Sequence, residues 1–198
     1  AQTMAGLEDL YEKYRPKRRT KAMAAREKGL EPLARFLLNP ADMGTPEQEA
    51  KKYVNKEVPD IEAALSGARD IIAEMINDDP NIRARVRNLF VRTAHVQSRV
   101  KKDQQEPGIK FKDYFDWSEP AFKAPSHRIL AMLRGKNEGF LRVRVLPEQE
   151  DALALIQAMV FKNKNISTRH RSQIKGAVKD SYKRLLSKSM EKEAMAQL

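Results

Sequence analysis

Three carboxylates lie close together in the segment 112–119. Among the residue patterns in the chain, their spacing is the most suggestive of metal binding or acid–base catalysis. They are Asp113, Asp116 and Glu119. Two carboxylates three residues apart can hold Mg²⁺ or act as a general acid and base. Aspartate side chains also accept backbone N–H bonds at turns and helix starts, which explains the same pattern without catalysis. We favour the structural explanation, so this cluster predicts no active site.

Histidine and cysteine chemistry finds no better support in the sequence. His95, His127 and His170 are far apart along the chain, and none has a neighbour at the spacing of metal ligands. Ser126 adjoins His127, but adjacent side chains on a helix diverge by about 100° and do not share a proton. The chain contains no cysteine and no glycine-rich phosphate loop. We therefore predict a protein that is not an enzyme, with no catalytic residue, no metal, no cofactor and no small-molecule substrate.

The distribution of charge points instead to binding. The 198 residues include 38 Lys and Arg against 27 Asp and Glu, a formal net charge of +11. Residues 81–145 hold 15 of the basic side chains and only 6 of the acidic ones. A local basic excess is typical of proteins that contact polyanions, and a solvated basic surface is the alternative.

Twelve basic side chains are the candidate contacts to nucleic acid. No motif specifies base readout, so we predict sequence-independent binding of RNA or DNA through the phosphates. Tyr114, Phe115 and Trp117 could stack on bases, but an aromatic cluster of this kind is more often part of a core. The candidate contacts are Lys17, Arg18, Arg19, Lys21, Arg99, Lys101, Lys102, Arg128, Arg134, Lys136, Arg142 and Arg144.

Helices must position most of these side chains. Residues that favour helices dominate the composition, and apolar residues recur at spacings of three and four, beginning over 7–14. Thr20 and Ser126 are predicted to cap helices, and Thr45 with Gln48 forms a capping-box pattern. Short connections predict that helices pack in antiparallel pairs. The predicted fold class is mainly α, a multi-helix bundle of antiparallel helical hairpins.

Two segments alternate polar and apolar residues with a period of two. They are 96–100 and 140–145, and both contain β-branched residues. The fold prediction therefore allows one short two-stranded antiparallel ribbon, packed on a helix. Arg142 and Arg144 would share the polar face of this ribbon.

The chain divides by pattern into three predicted segments. They are an N-terminal helical segment 1–58, a central segment 59–146 with the basic surface and the ribbon, and C-terminal helices over 147–198. No apolar run approaches about 18 residues, and no signal-peptide pattern opens the chain. We therefore expect no membrane contact and a cytoplasmic location.

Several motifs resemble the Tex family of bacterial transcription accessory proteins. The resemblance covers about residues 7–141. The motifs are YRPKRRTKA at 14–22, AREKGLEPLA at 25–34, GARDIIAE at 67–74, KFKDYFD at 110–116, PSHR at 125–128 and LRGKNEG at 133–139.

This resemblance implies a place within a larger protein. Tex-type proteins are expected to be multi-domain RNA- and DNA-binding factors with a helical N-terminal and central region, a YqgF-type domain, helix-hairpin-helix motifs and an OB-fold domain. This chain would be the helical region ahead of the YqgF-type domain, a non-catalytic nucleic-acid-binding region with transcription machinery as a further candidate partner. The alternative is a scaffold that docks neighbouring domains or RNA polymerase.

Overall fold

The computed structural model describes residues 19–39, 44–162 and 166–198, and helices dominate these ranges. The predicted helix over 7–14 lies outside the described residues. The α-helices are α1 (Lys21–Glu27), α2 (Glu31–Leu38), α3 (Pro46–Ala50), α4 (Ile61–Asp78), α5 (Pro80–Thr93), α6 (Ser126–Asn137), α7 (Gln149–Phe161), α8 (Thr168–Asp180) and α9 (Ser187–Ala196). The strands are β1 (His95–Val100), β2 (Asp116–Pro120) and β3 (Leu141–Leu146). The mainly α prediction is confirmed.

Short non-α helices complete the described elements. Three are 3₁₀-helices, and the fourth is a π-helical segment that joins α8 to α9. They are Lys51–Tyr53, Ile109–Tyr114, Ala121–Lys123 and the π segment Ser181–Leu186. Within the described ranges, no helix combines the length and the apolar character that a membrane crossing requires.

Side-chain caps begin two of the helices where the sequence predicts them. Thr20 Oγ1 accepts a hydrogen bond from the Met23 backbone N–H at 3.0 Å, ahead of α1. Thr45 and Gln48 form a reciprocal capping box at α3. Each such bond satisfies a backbone donor that the helix itself leaves unpaired. Gly29 follows α1 at φ +74°, a conformation that favours glycine.

The predicted cap of α6 is wrong. Pro125 occupies the position before the helix, Ser126 is its first residue, and no side chain caps the start. The side chain of Pro125 has no atom that can accept a hydrogen bond from the first turn of the helix. Its backbone is extended and leads directly into that turn. A serine near a helix start is therefore not sufficient evidence of a cap.

The chain folds into two compact units, each built from two stretches of sequence. Among the described residues, those within 1–83 and 156–185 form the first unit, and those within 84–155 and 186–198 form the second. The three consecutive segments predicted from the sequence remain a prediction.

Helix α4 is the centre of the first unit. It packs against α1, α2, α3 and α8, and its residues Ile71 and Ile72 are fully buried. The hydroxyl of Ser181 donates a buried hydrogen bond to the carbonyl of Ala73 at 2.7 Å. Apolar burial of this kind is the main favourable contribution to folding. The packing joins helices that are distant in sequence, which the hairpin pattern does not predict.

A three-stranded antiparallel sheet in the order β2-β1-β3 organises the second unit. One face of the sheet is buried, and α6 packs on it next to β3. A Cβ atom at Gly135 of α6 would lie 2.5 Å from Leu141 Cδ1, so the glycine permits this close approach. The packing fixes which residues of each strand face solvent.

The predicted two-stranded ribbon has the correct pair of strands but lacks the third strand of the sheet. Strands β1 and β3 pair as predicted, while β2 pairs with the other side of β1. The segment Asp116–Pro120 contains Asp, Ser and Pro, which are depleted in strands, so its sequence gives no strand signal. The structure therefore corrects the turn or cap role predicted for Asp116 and Glu119, which lie in this strand.

Candidate nucleic-acid interface

The exposed face of the sheet brings together four of the predicted basic contacts. Arg142 and Arg144 of β3 alternate with buried residues, and Arg99 of β1 is exposed on the same face. The Lys101 backbone N–H donates to the Phe140 carbonyl at 2.9 Å, so the β1–β3 pairing extends to Lys101. Alternation places Lys101 on the same side as Arg99. We call Arg99, Lys101, Arg142 and Arg144 the basic sheet face.

Strand register places two of these positive charges directly opposite each other. Arg99 pairs with Arg142, and Gln97 pairs with Arg144. Directly opposite residues have Cβ atoms about 4.5–5.5 Å apart, and like charges in such a pair are destabilising. The sheet therefore holds positive charges together at a cost to its own stability.

Two carboxylates partly compensate this charge. Asp116 lies opposite Arg99 on β2, with 3.7 Å between Arg99 Nε and Asp116 Oδ1, and both side chains are more than three-quarters exposed. Such an exposed pair contributes little. Glu191 of α9 accepts from Arg144 Nε at 2.6 Å and from the Val145 backbone N–H at 3.0 Å.

Arg142 differs from Arg99 and Arg144 in having no carboxylate partner among the described residues. It is exposed, and within the described ranges it forms no ion pair. Its direct neighbour across the strands is another arginine, Arg99. Arg142 is therefore more available to an anion than the paired Arg99 and Arg144 are.

The side chains predicted on α6 are not part of the basic sheet face, because α6 packs on the buried side. Arg128 Nη1 donates to Glu119 Oε2 at 2.9 Å, and Arg128 Cζ lies over the ring of Trp117 at 5.5 Å from the ring centroid. Lys136 Nζ lies 3.5 Å from Met195 Sδ. These contacts give Arg128 a role in packing.

Arg134, also on α6, is partly neutralised by a shared carboxylate. Arg134 Nε donates to Glu138 Oε1 at 2.8 Å, and Lys110 Nζ lies 2.5 Å from Glu138 Oε2. Hydrogen bonds from Lys110 and Arg134 lower the pKa of Glu138. The carboxylate therefore stays charged beside both cations.

The remaining predicted contacts lie elsewhere. Lys17 and Arg18 fall outside the described residues. Arg19 and Lys21 belong to the first unit, where Arg19 Nη2 pairs with Glu27 Oε2 at 2.6 Å. Lys102 follows Lys101 and is exposed.

The aromatic cluster takes part in packing rather than in the basic sheet face. Trp117 is half-buried, alternates with the exposed Asp116 and Ser118, and donates its Nε1–H to Glu119 Oε1 at 2.9 Å. The rings of Tyr114 and Trp117 meet edge to face at a centroid distance of 6.1 Å. The cluster thus lies on the opposite side of the sheet from Arg99 and Arg142.

The acidic segment does not form a metal site in the structure. Asp116 and Glu119 are separated by three residues of a strand, so they project from opposite faces. Asp113 lies on the preceding 3₁₀-helix and is exposed. Within the described ranges, no group of three or more metal-ligating side chains is close enough to hold an ion.

Two neutral polar residues join the basic sheet face without being predicted. Gln97 and Ser118 are exposed on the same side of the sheet, and they lie opposite each other on β1 and β2. If the sequence had predicted β2 as a strand, its alternation would have placed Ser118 on the exposed face. Away from the ends of the strands, the exposed face of the sheet thus presents only polar and charged side chains.

Comparison with known proteins identifies the family of this chain. A family model described as Tex central region-like matches residues 41–198, and the chain belongs to this family. It is 43% identical over 153 residues to the transcriptional accessory protein Tex of Neisseria gonorrhoeae, covering 76% of this chain and 20% of that protein. It is 49% identical over 139 residues to protein YhgF of Escherichia coli, covering 69% of this chain and 18% of that protein.

A further relative matches almost the whole chain. The protein YdcI of Bacillus subtilis is 36% identical over 196 residues, which cover 97% of this chain and 27% of that protein. The chain therefore spans about a fifth to a quarter of the length of these relatives.

Proposed function

We propose that this chain is a non-catalytic nucleic-acid-binding region of a Tex-type transcription accessory protein. Its basic sheet face would contact the phosphate backbone of RNA or DNA without reading sequence. The relative named a transcriptional accessory protein supports the setting, because transcription takes place on nucleic acid in the bacterial cytoplasm.

The cross-strand pair of Arg99 and Arg142 is the observation that carries this proposal. Alternate residues of each strand are buried in the core, and this burial fixes the register of the strands. A shift of register therefore cannot move Arg99 and Arg142 apart. A phosphate between them would remove their repulsion and accept hydrogen bonds from both forks. The arrangement thus costs stability in the free protein and gains interaction energy with an anion.

The chemistry of the face favours nucleic acid over the alternative of a protein scaffold. Protein interfaces have an apolar, aromatic-rich core, whereas this face presents Gln97, Ser118, Asp116 and the four cations. No aromatic side chain lies among them to stack on a base. Binding should therefore depend on the number of phosphates contacted and on salt, with little dependence on base sequence.

Salt-dependent binding of the 198-residue chain tests the proposal. The probes are fluorescein-labelled duplex DNA of about 20 base pairs and a single-stranded RNA of matched length. The four cations on the face are expected to contribute about −3 to −4 to the log–log salt slope for the duplex. The double variant Arg99→Gln/Arg142→Gln should lose about two units of this slope and bind about tenfold more weakly.

The matched control is Arg85→Gln/Arg92→Gln, which removes two exposed arginines from α5 of the same unit. It should bind nearly as the parent does. Equal weakening of the two double variants would mean that net charge alone governs binding, and the proposed face would be wrong. Absence of binding to either probe at low salt would favour a scaffold that meets an acidic protein.

A further inference from the structure

The exposed face of α8 in the first unit carries a second set of unbalanced positive charges. Ser172, Lys175, Gly176 and Lys179 are all exposed and recur at the spacings that place residues on one side of a helix. The rise of a helix separates Lys175 from Lys179 by about 6 Å along the axis. We call these four residues the α8 stripe.

No carboxylate on α8 balances the stripe. The helix contains a single acidic residue, Asp180. Both carboxylate oxygens of Asp180 accept hydrogen bonds from Arg184, at distances from 2.6 to 3.2 Å, so this acid is engaged within its own turn. Like charges four residues apart destabilise a helix by about 0.2–0.5 kcal/mol. The two lysines therefore repel each other, and among the residues that the structure describes neither forms an ion pair with a carboxylate.

The exposed Gly176 lies between the two lysines and adds no side chain to the stripe. An exposed glycine inside a helix costs about 0.5–1 kcal/mol relative to alanine. A Cβ atom here would lie 3.3 Å from Arg69 Cδ, so the side chain of Arg69 on α4 lies beside the glycine. The exposed Ser172 hydroxyl, one turn earlier, is a neutral donor.

We infer that the α8 stripe is a second contact site for the phosphodiester backbone of a nucleic acid. Lysine ammonium groups at this spacing can neutralise successive phosphates, and the stripe carries no carboxylate that would repel them. The absence of large apolar side chains from the stripe argues against a protein partner, because protein interfaces are depleted in lysine and centred on apolar or aromatic anchors. This inference takes one premise from the proposed function, namely that the ligand is a nucleic acid.

Lysine acetylation footprinting tests the stripe directly. The 198-residue chain is treated with an amine-acetylating reagent, with and without the duplex probe, and each lysine is quantified by mass spectrometry. Lys175 and Lys179 should be protected about threefold or more by the duplex, while the exposed Lys51 and Lys56 of the same unit should not. Equal acetylation with and without duplex would overturn the inference.

A charge-matched pair of variants gives the second readout. Lys175→Gln/Lys179→Gln should reduce the magnitude of the salt slope by about two units, and Lys51→Gln/Lys56→Gln should leave it nearly unchanged. Equal changes in the two variants would contradict a local site. Protection of the stripe by polyglutamate but not by duplex would assign it to an acidic protein and overturn the inference.

The footprint also separates this inference from the proposed function. In the Arg99→Gln/Arg142→Gln variant, at a probe concentration that still saturates binding, Lys175 and Lys179 should remain protected. Loss of binding in that variant together with an unprotected stripe in the parent would support the basic sheet face and reject the stripe. Protection of the stripe, together with normal binding by the Arg99→Gln/Arg142→Gln variant, would support the stripe and reject the basic sheet face.

Discussion

Arg99 of β1 lies directly opposite Arg142 of β3 on the exposed face of the sheet. The residues on either side of Arg142, Leu141 and Val143, are buried on the other face. A slip of one residue would expose these apolar side chains and bury the arginine, so the core fixes the register. The same packing that stabilises the sheet therefore places two cations opposite each other, which is unfavourable.

Removal of one of these cations should stabilise the free protein. Arg142→Gln is expected to raise the free energy of unfolding by about 0.2–1 kcal/mol, because it ends the repulsion from Arg99. The gain should shrink at high salt, where exposed charges are screened. Urea unfolding followed by the fluorescence of Trp117 measures it. Arg92→Gln, on α5, is the control, and a loss of stability in Arg142→Gln would contradict a repulsive pair.

Asp116 should weaken nucleic-acid binding by its partial neutralisation of Arg99. Asp116→Asn is expected to tighten binding to the duplex about twofold to fivefold, in line with the small interaction of an exposed ion pair. Anisotropy titration at low salt measures the change. Asp113→Asn removes a neighbouring exposed carboxylate as the control. If both variants tighten binding equally, the effect belongs to net charge and not to the pair with Arg99.

Glu119 is expected to hold the edge of the sheet against α6. It accepts hydrogen bonds from Trp117 and Arg128, and its side chain is 15% exposed. Glu119→Ala leaves both donors without their partner and should cost about 1–3 kcal/mol. The chain has one tryptophan, so its emission should also shift in the folded state. Unfolding and emission like those of the parent protein would show that Glu119 has no such role.

The helices were predictable where local chemistry decides their ends. Thr20 caps α1, and Thr45 with Gln48 caps α3, because these bonds form between residues three apart. Strand β2 was not predictable, since Asp116 and Ser118 have low strand propensity and are held there by pairing with β1. Tertiary pairing overrides propensity in this segment.

The site was predictable in part for the same reason. The period-two pattern of β3 places Arg142 and Arg144 on one face from sequence alone. The partner of Arg142 depends on register, and the partner of Arg128, Glu119, depends on how α6 meets β2. Charge density in the sequence therefore predicts the basic surface, whereas only the fold separates available cations from paired ones.

Asp70 gives a prediction about pH in the first unit. Its side chain is 22% exposed, and Arg184 Nη2 lies 3.3 Å from its Oδ1. Burial raises the pKa of Asp70 above its ordinary value, although the charges of Lys21 and Arg184 act to lower it. A raised pKa in the folded protein means that the charged carboxylate is less favourable there than in the unfolded chain. Asp70 therefore lowers stability at pH values above its folded pKa.

Asp70→Asn should accordingly be at least as stable as the parent at pH 7, with a gain below about 1 kcal/mol. Arg184 keeps its bonds to Asp180 in this variant. The gain should shrink as the pH falls through the folded pKa of Asp70, because the parent carboxyl then becomes neutral as well. Urea unfolding at pH 7 and at successively lower pH values measures the trend. A variant that is less stable than the parent at pH 7, with the deficit closing in acid, would show that attraction by Arg184 outweighs the cost of burial.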